Sequence, residues 1–121
     1  MQPLALIVED DPSQAEIFQR ALQAAGYQTL LQQNGQDALN YLQQHQPDLV
    51  VLDLHLPGLG GEKIVQMMRD MAHLAHTRLV LATADDRLAE TVQPFCDLVL
   101  LKPISYTQLR DLAARLKPSS A

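Results

Sequence analysis

Four short apolar runs, Leu4 to Val8, Leu49 to Leu52, Leu79 to Ala82 and Leu98 to Leu101, constrain the fold of this 121-residue chain more than any other feature. Each is too short for a helix and nearly free of polar residues, the pattern of strands buried on both faces. The segments between them carry helical periodicity. Ile17, Phe18, Ala21, Leu22 and Ala25 share one stripe, and Leu109, Leu112, Ala113 and Leu116 follow the i, i+3, i+4, i+7 spacing. Strands alternating with helices predict a parallel sheet.

Punctuation supports the same order. Asp11 is placed to cap the first helix, Pro12 suits its first turn, and Gly26 suits a left-handed exit. A more polar strand, Gln28 to Leu31, fits a sheet edge, and Asn34-Gly35 leads into a helix that turns Ala38, Leu39 and Leu42 inward. After the third strand the turn-rich Pro57-Gly58-Leu59-Gly60-Gly61 opens a helix around Ile64, Val65, Met68 and Met71. Gly61 reads here as a tight-turn requirement. A shorter amphipathic piece, with Leu88, Ala89, Val92 and Phe95 inward and Pro94 near its end, precedes the last strand. The expected organisation is one domain over 1–117, with 118–121 a tail or the start of a linker. Right-handed crossovers then place helices on both faces of a doubly wound sheet, with function at the carboxyl ends of its strands.

Composition excludes several classes. Hydrophobic residues make up 47% of the chain, enough for one core, yet no run approaches the roughly 20 residues of a membrane span. With 14 acidic side chains against 9 Lys and Arg, and a formal charge of −5, a direct nucleic-acid footprint is not expected. The start MQPLALIVED lacks an export signal, and the single Cys96 has no internal disulfide partner, so a cytoplasmic protein is expected.

Each apolar run ends in polar residues: Glu9, Asp10 and Asp11 after the first, Asp53 after the second, Thr83 after the third and Lys102 after the fourth. Parallel strands point these ends the same way, so carboxylates, a hydroxyl and an ammonium should meet in one crevice. Crowded carboxylates repel, and a hard cation such as Mg²⁺ relieves them. A metal beside a lysine makes a phosphoryl site. Taken singly, Asp53 reads equally as a turn residue, Thr83 as an ordinary strand residue and Lys102 as a solvated lysine. The glycines of PGLGG lack the order of a nucleotide loop, which leaves Lys63 as a surface lysine. His73 and His76 share one predicted helix face but lack a third ligand, and Met67, Met68 and Met71 read as packing at helical spacing.

Together, VEDDP after the first strand, DLHLPGLGGE after the third, LATAD after the fourth and LLKPI after the fifth resemble the receiver domain of two-component response regulators, the CheY-like superfamily. The resemblance covers essentially the whole chain. It implies a flavodoxin-like α/β fold, a doubly wound five-stranded parallel sheet of order 2-1-3-4-5 flanked by five helices. It implies Asp53 as phosphoacceptor, receiving a phosphoryl group from a sensor histidine kinase or a histidine phosphotransfer protein. Asp10, Asp53 and the backbone carbonyl of His55 match its Mg²⁺ ligands, with Glu9 acting through water and Mn²⁺ able to substitute. Lys102 matches the lysine that pairs with a phosphoryl oxygen, Pro103 the cis peptide that follows it, and Thr83 the hydroxyl that bonds the arriving group. His55 and Asp85 match positions that modulate phosphate lifetime. The implied role is a switch without a separate catalytic domain. It acts through the face of the fourth helix, fifth strand and fifth helix on an output partner or a phosphorylation-dependent homodimer.

The chain departs from the family at Val99, where receivers usually carry Tyr or Phe, and the stretch from Thr83 to Lys102 is shorter than the common pattern. Both departures touch signalling more than phosphoryl chemistry. Two alternatives stay open from sequence: a receiver-like interaction module that works without phosphorylation, and an aspartate-nucleophile phosphohydrolase. The latter resembles D-x-D, where this chain has Asp53-Leu54-His55. An FMN carrier would need a Ser/Thr/Gly-rich loop in place of three acids after the first strand.

Overall fold

The computed structural model describes residues 2–118; of the expected tail, 119–121 lie outside the described residues. Five strands, β1 (Leu4–Val8), β2 (Gln28–Gln32), β3 (Leu49–Asp53), β4 (Arg78–Thr83) and β5 (Leu98–Leu101), form one sheet of order β2-β1-β3-β4-β5, every pairing parallel. The helices α1 (Pro12–Ala24), α2 (Gly35–Gln44), α3 (Gly61–Arg69), α4 (Asp86–Val92) and α5 (Tyr106–Arg115) alternate with them, and two short 3-10 turns, Ala72–Leu74 and Gln93–Phe95, follow α3 and α4. This is the doubly wound, CheY-like flavodoxin fold expected from the sequence.

Alternation along each buried strand splits the core in two. Leu6, Val8, Val50 and Leu52 pack with Leu42 of α2, Ile64 and Met68 of α3 and Val92 of α4. Ala5, Ile7 and Val51 pack on the other face with Phe18 and Leu22 of α1 and Leu109 and Ala113 of α5. There the buried Tyr27 hydroxyl donates to the carbonyl of Ala113 at 2.8 Å and ties α5 to the start of β2.

Capping follows the sequence closely. Asp11 Oδ1 accepts from the Ser13 amide at 3.1 Å at the start of α1, and Gly26 adopts a φ of +98° at its exit. Five details differ from expectation. Ile17 is 37% exposed, because its place on α1 turns past the sheet-facing arc that Phe18 and Leu22 occupy. The run of β5 is not buried on both faces: it forms the sheet edge beyond β4, and Leu101 is 52% exposed. Met71 lies beyond α3, which ends at Arg69. Phe95 is exposed in a 3-10 turn, since Pro94 has no amide hydrogen to continue α4 past Val92. Gly61 has no positive φ. It is needed because a Cβ there would lie 2.6 Å from Leu54 Cα and 2.8 Å from the Asp53 carbonyl oxygen, whereas Gly58, at φ +75°, is the true turn glycine.

Candidate functional site

The carboxyl ends of β1, β3, β4 and β5 bring Glu9, Asp53, Thr83 and Lys102 together. The Glu9 amide still donates to the Gln32 carbonyl at 3.1 Å, so β1 and β2 stay joined one residue past the strand and the Glu9 side chain is held inside, 1% exposed. Asp53 is the last residue of β3 and 4% exposed, and Asp10 stands at the solvent rim. Asp11 faces its helix as a cap, and its backbone amide donates to Glu9 Oε2 at 3.3 Å.

Lys102 joins the two buried acids. Its Nζ donates to Glu9 Oε1 at 3.1 Å and to Asp53 Oδ2 at 3.2 Å, with the lysine side chain 21% exposed. The Lys102 amide donates to the Thr83 carbonyl at 2.8 Å, which anchors the residue at the end of β5, and the Lys102–Pro103 peptide is cis. The other Asp53 oxygen, Oδ1, accepts from the His55 amide at 3.0 Å, while the His55 side chain is exposed. Thr83 is fully buried. Its Oγ1 accepts from the Asp85 amide at 3.0 Å and donates to the Asp85 carbonyl at 3.4 Å.

Charge is unbalanced here. Burial pushes the Glu9 carboxyl up to about 7, and the charge of Asp53 and its hydrogen bond to Glu9 add to the rise against the opposing pull of Lys102 and the Asp11 amide. Burial alone would lower the Lys102 ammonium, but its bond to Glu9 and the charges of Glu9 and Asp53 outweigh that and hold it above its ordinary value. Three carboxylates, Glu9, Asp10 and Asp53, present oxygens that all lie within 4.8 Å of one another, against one ammonium. An oxygen-only donor set with surplus negative charge fits a hard divalent cation.

His73 and His76 do not share a helix face, since α3 ends at Arg69: His73 sits in the 3-10 turn, its Nε2 2.6 Å from the Leu42 carbonyl oxygen, and His76 lies beyond that turn. Val99 is half-buried on β5 against the core on the α4 side. A cavity of about 750 Å³ opens at the opposite end of the sheet, among Arg69, Arg78, Phe95 and Asp97, and shares no residue with the carboxylates. Sequence reasoning missed the pairing of Thr83 with Asp85; the only signal for it was the two-residue spacing typical of hydroxyl turns.

Comparison with known proteins agrees with this geometry. Residues 5–114 match the family model described as response regulator receiver domain. The polar-differentiation response regulator DivK of Brucella anthropi is 31% identical over 111 residues, 87% of this chain and 88% of that protein. A CheY-like response regulator receiver domain from Methylobacillus flagellatus superposes with a TM-score of 0.85 at 28% identity, covering 97% of this chain and 100% of that one. The receiver domain of sensor histidine kinase PA1611 from Pseudomonas aeruginosa, solved with a magnesium ion coordinated in its active-site cleft, shares the fold with a TM-score of 0.85 at 22% identity, over 96% and 98% of the two chains. Among the described residues no helix is long and apolar enough to cross a membrane. The chain belongs to the response regulator receiver domain family of two-component signalling.

Proposed function

We propose that the chain accepts a phosphoryl group on Asp53 from the phosphohistidine of a sensor histidine kinase or a histidine phosphotransfer protein. The observation that carries this reading is Asp53 at a buried strand end, 3.2 Å from Lys102 Nζ and clustered with Glu9 and Asp10. An Asp53 carboxylate oxygen attacks phosphorus, the phosphorus–nitrogen bond breaks, and the imidazole leaves with the electron pair and takes up a proton. Lys102 turns from Asp53 to a phosphoryl oxygen, and the Thr83 hydroxyl bonds another. Asp10, Asp53 and the His55 carbonyl would hold Mg²⁺ or Mn²⁺, with Glu9 acting through water. When bound, the cation offsets the charge gathering on the transferring group. His55 and Asp85 flank the approach of water and set how long the acyl phosphate lasts.

Phosphoramidate, a small compound with a phosphorus–nitrogen bond, tests the reaction directly. With Mg²⁺, phosphorus NMR should show a chain-bound acyl phosphate that hydroxylamine discharges. Steady hydrolysis of small phosphate esters with no chain-bound signal would overturn the proposal in favour of a phosphohydrolase. A module working without phosphorylation gives neither signal. The output then runs through the face of α4, β5 and α5, where Leu101 and Tyr106 are exposed, to a partner or a second copy.

The Glu9 carboxyl makes cation binding pH-dependent. With that group near 7, protons compete for the site below neutrality, and Mg²⁺ affinity should be about tenfold weaker at pH 6 than at pH 8. Folded Glu9 keeps its proton to higher pH than a glutamate's ordinary value of 4.5, so the metal-free protein should lose stability as pH rises from 4.5 to about 7, and Mg²⁺ should restore it. Titration calorimetry and urea unfolding at the two pH values check both statements; an affinity flat across that range would exclude Glu9 from the cation site.

A further inference from the structure

The amino ends of β4 and β5 carry a second charged cluster, at the far end of the sheet from the carboxylates. There α4 ends at Val92, and the turn Gln93–Phe95 leads into β5 beside the cavity of about 750 Å³. Arg69, at the end of α3, lines the cavity with its guanidinium engaged: Nε donates to the Phe95 carbonyl at 2.8 Å, and Nη1 to the Thr77 carbonyl at 3.1 Å. Asp97 is equally committed. Its Oδ2 accepts from the Leu79 amide at 2.7 Å and from Arg69 Nη2 at 3.5 Å, and its Oδ1 accepts from Arg78 Nη1 at 3.1 Å. Arg78 differs. It engages only Nη1, its Nε and Nη2 have no protein partner among the described residues, and its side chain is 56% exposed. Pro94 and Phe95, the latter 46% exposed, give the same cavity an apolar edge.

We infer that this cavity binds a small aromatic monocarboxylate, independently of Asp53. Its volume lies within the range of small-molecule pockets, about 300–1,000 Å³. Asp97 holds Arg78 by Nη1 and so orients the rest of the guanidinium. The free pair, Nε and Nη2, lies along one side of that plane, and two parallel N–H donors match the two oxygens of a carboxylate. Phe95 offers a ring against which the ligand's ring packs edge-to-face or offset. The acids limit the charge of the ligand. Asp97 offsets much of the charge of Arg69 and Arg78, and Asp70 lines the cavity as an exposed carboxylate, so one negative charge is accommodated where a polyphosphate is repelled. An anion as small as acetate leaves Pro94 and Phe95 uncovered and gains nothing from them. No residue of this cavity belongs to the cluster of Glu9, Asp10, Asp53 and Lys102, so both sites can be filled at once.

Benzoate is the probe, titrated into the full chain and followed by amide proton–nitrogen NMR. Signals of Arg78 and of Phe95 to Asp97 should shift and saturate, with a Kd of about 1 mM for a ligand of this size. Acetate, which lacks the ring, and benzyl alcohol, which lacks the charge, should each bind at least about tenfold more weakly. Arg78→Gln should weaken benzoate about tenfold and Phe95→Ala about fivefold. Both side chains are exposed, so the variants should fold, with amide signals away from the cavity unchanged. Asp53→Asn should bind benzoate as the unaltered chain does, whatever the outcome for phosphoryl acceptance. Shifts that do not saturate, equal binding of benzyl alcohol, or full affinity in both Arg78→Gln and Phe95→Ala overturn the assignment.

Discussion

Lys102→Ala should slow formation of the Asp53 phosphate by at least about a hundredfold, the scale of losing one charged donor aimed at the reacting group. The same change should destabilise the metal-free protein at pH 8 by about 2–3 kcal/mol. Lys102 is the cation at 3.1 Å from Glu9 and 3.2 Å from Asp53, and both acids are buried. Removing one partner of a buried ion pair commonly costs more than that. Here the loss is limited because the lysine is partly solvated and Glu9, already near 7, can take up a proton. The destabilisation should therefore shrink as pH falls to about 5.5, where a neutral Glu9 needs no counter-charge. Urea midpoints at the two pH values and the rate of adduct formation from acetyl phosphate measure both effects. Lys102→Arg should recover stability more than rate, since its planar fork keeps the charge but not the reach of the ammonium. A stable, fully reactive Lys102→Ala would contradict the arrangement.

Gly61→Ala should be strongly damaging, at about 3 kcal/mol or more, with a melting temperature lower by roughly 10 °C. The added methyl would lie 2.6 Å from Leu54 Cα and 2.8 Å from the Asp53 carbonyl oxygen, and both are backbone atoms that no rotamer change can move aside. Relief requires α3 to back away or the end of β3 to shift, which displaces Asp53. Reactivity should thus fall together with stability. Gly60→Ala makes the contrast, since a Cβ there meets nothing within 4 Å and φ is −71°; its cost should stay below about 1 kcal/mol. Thermal melts of the two variants decide the matter, and equal melting temperatures would show that α3 does not press on the strand.

The strands were legible because a parallel strand covered on both faces must be apolar throughout, and Leu49 to Leu52 is that signal with little noise. Position within the sheet was less legible: Leu98 to Leu101 has the same composition, yet its outer side has no neighbouring strand and Leu101 reaches solvent. Helical spacing overreached at Ile17 and at His73 and His76, because a stripe is informative only while the helix lasts and only over the arc facing the sheet. At the site, the strand-end rule expected Glu9, Asp10, Asp53, Thr83 and Lys102 to meet; the three acids and Lys102 do cluster, while the Thr83 hydroxyl is paired with Asp85 and its carbonyl accepts from the Lys102 amide. Which oxygen meets which donor was not legible. Lys102 shared between Glu9 and Asp53 follows from neighbours far away in sequence, whereas Thr83 turned to Asp85 is a local pairing two residues apart that competes with any contact to the acids. Gly61 shows the same limit, since sequence marks a glycine but not whether a dihedral or a close approach demands it.

Intact mass spectrometry after incubation with acetyl phosphate tests the phosphoacceptor most directly. The unaltered chain with Mg²⁺ should gain about 80 Da. Asp53→Asn should gain nothing, and EDTA should abolish the gain in the unaltered chain. An adduct of the same size and rate on Asp53→Asn, or none on the unaltered chain while calorimetry shows Mg²⁺ bound, would contradict phosphoryl acceptance at Asp53.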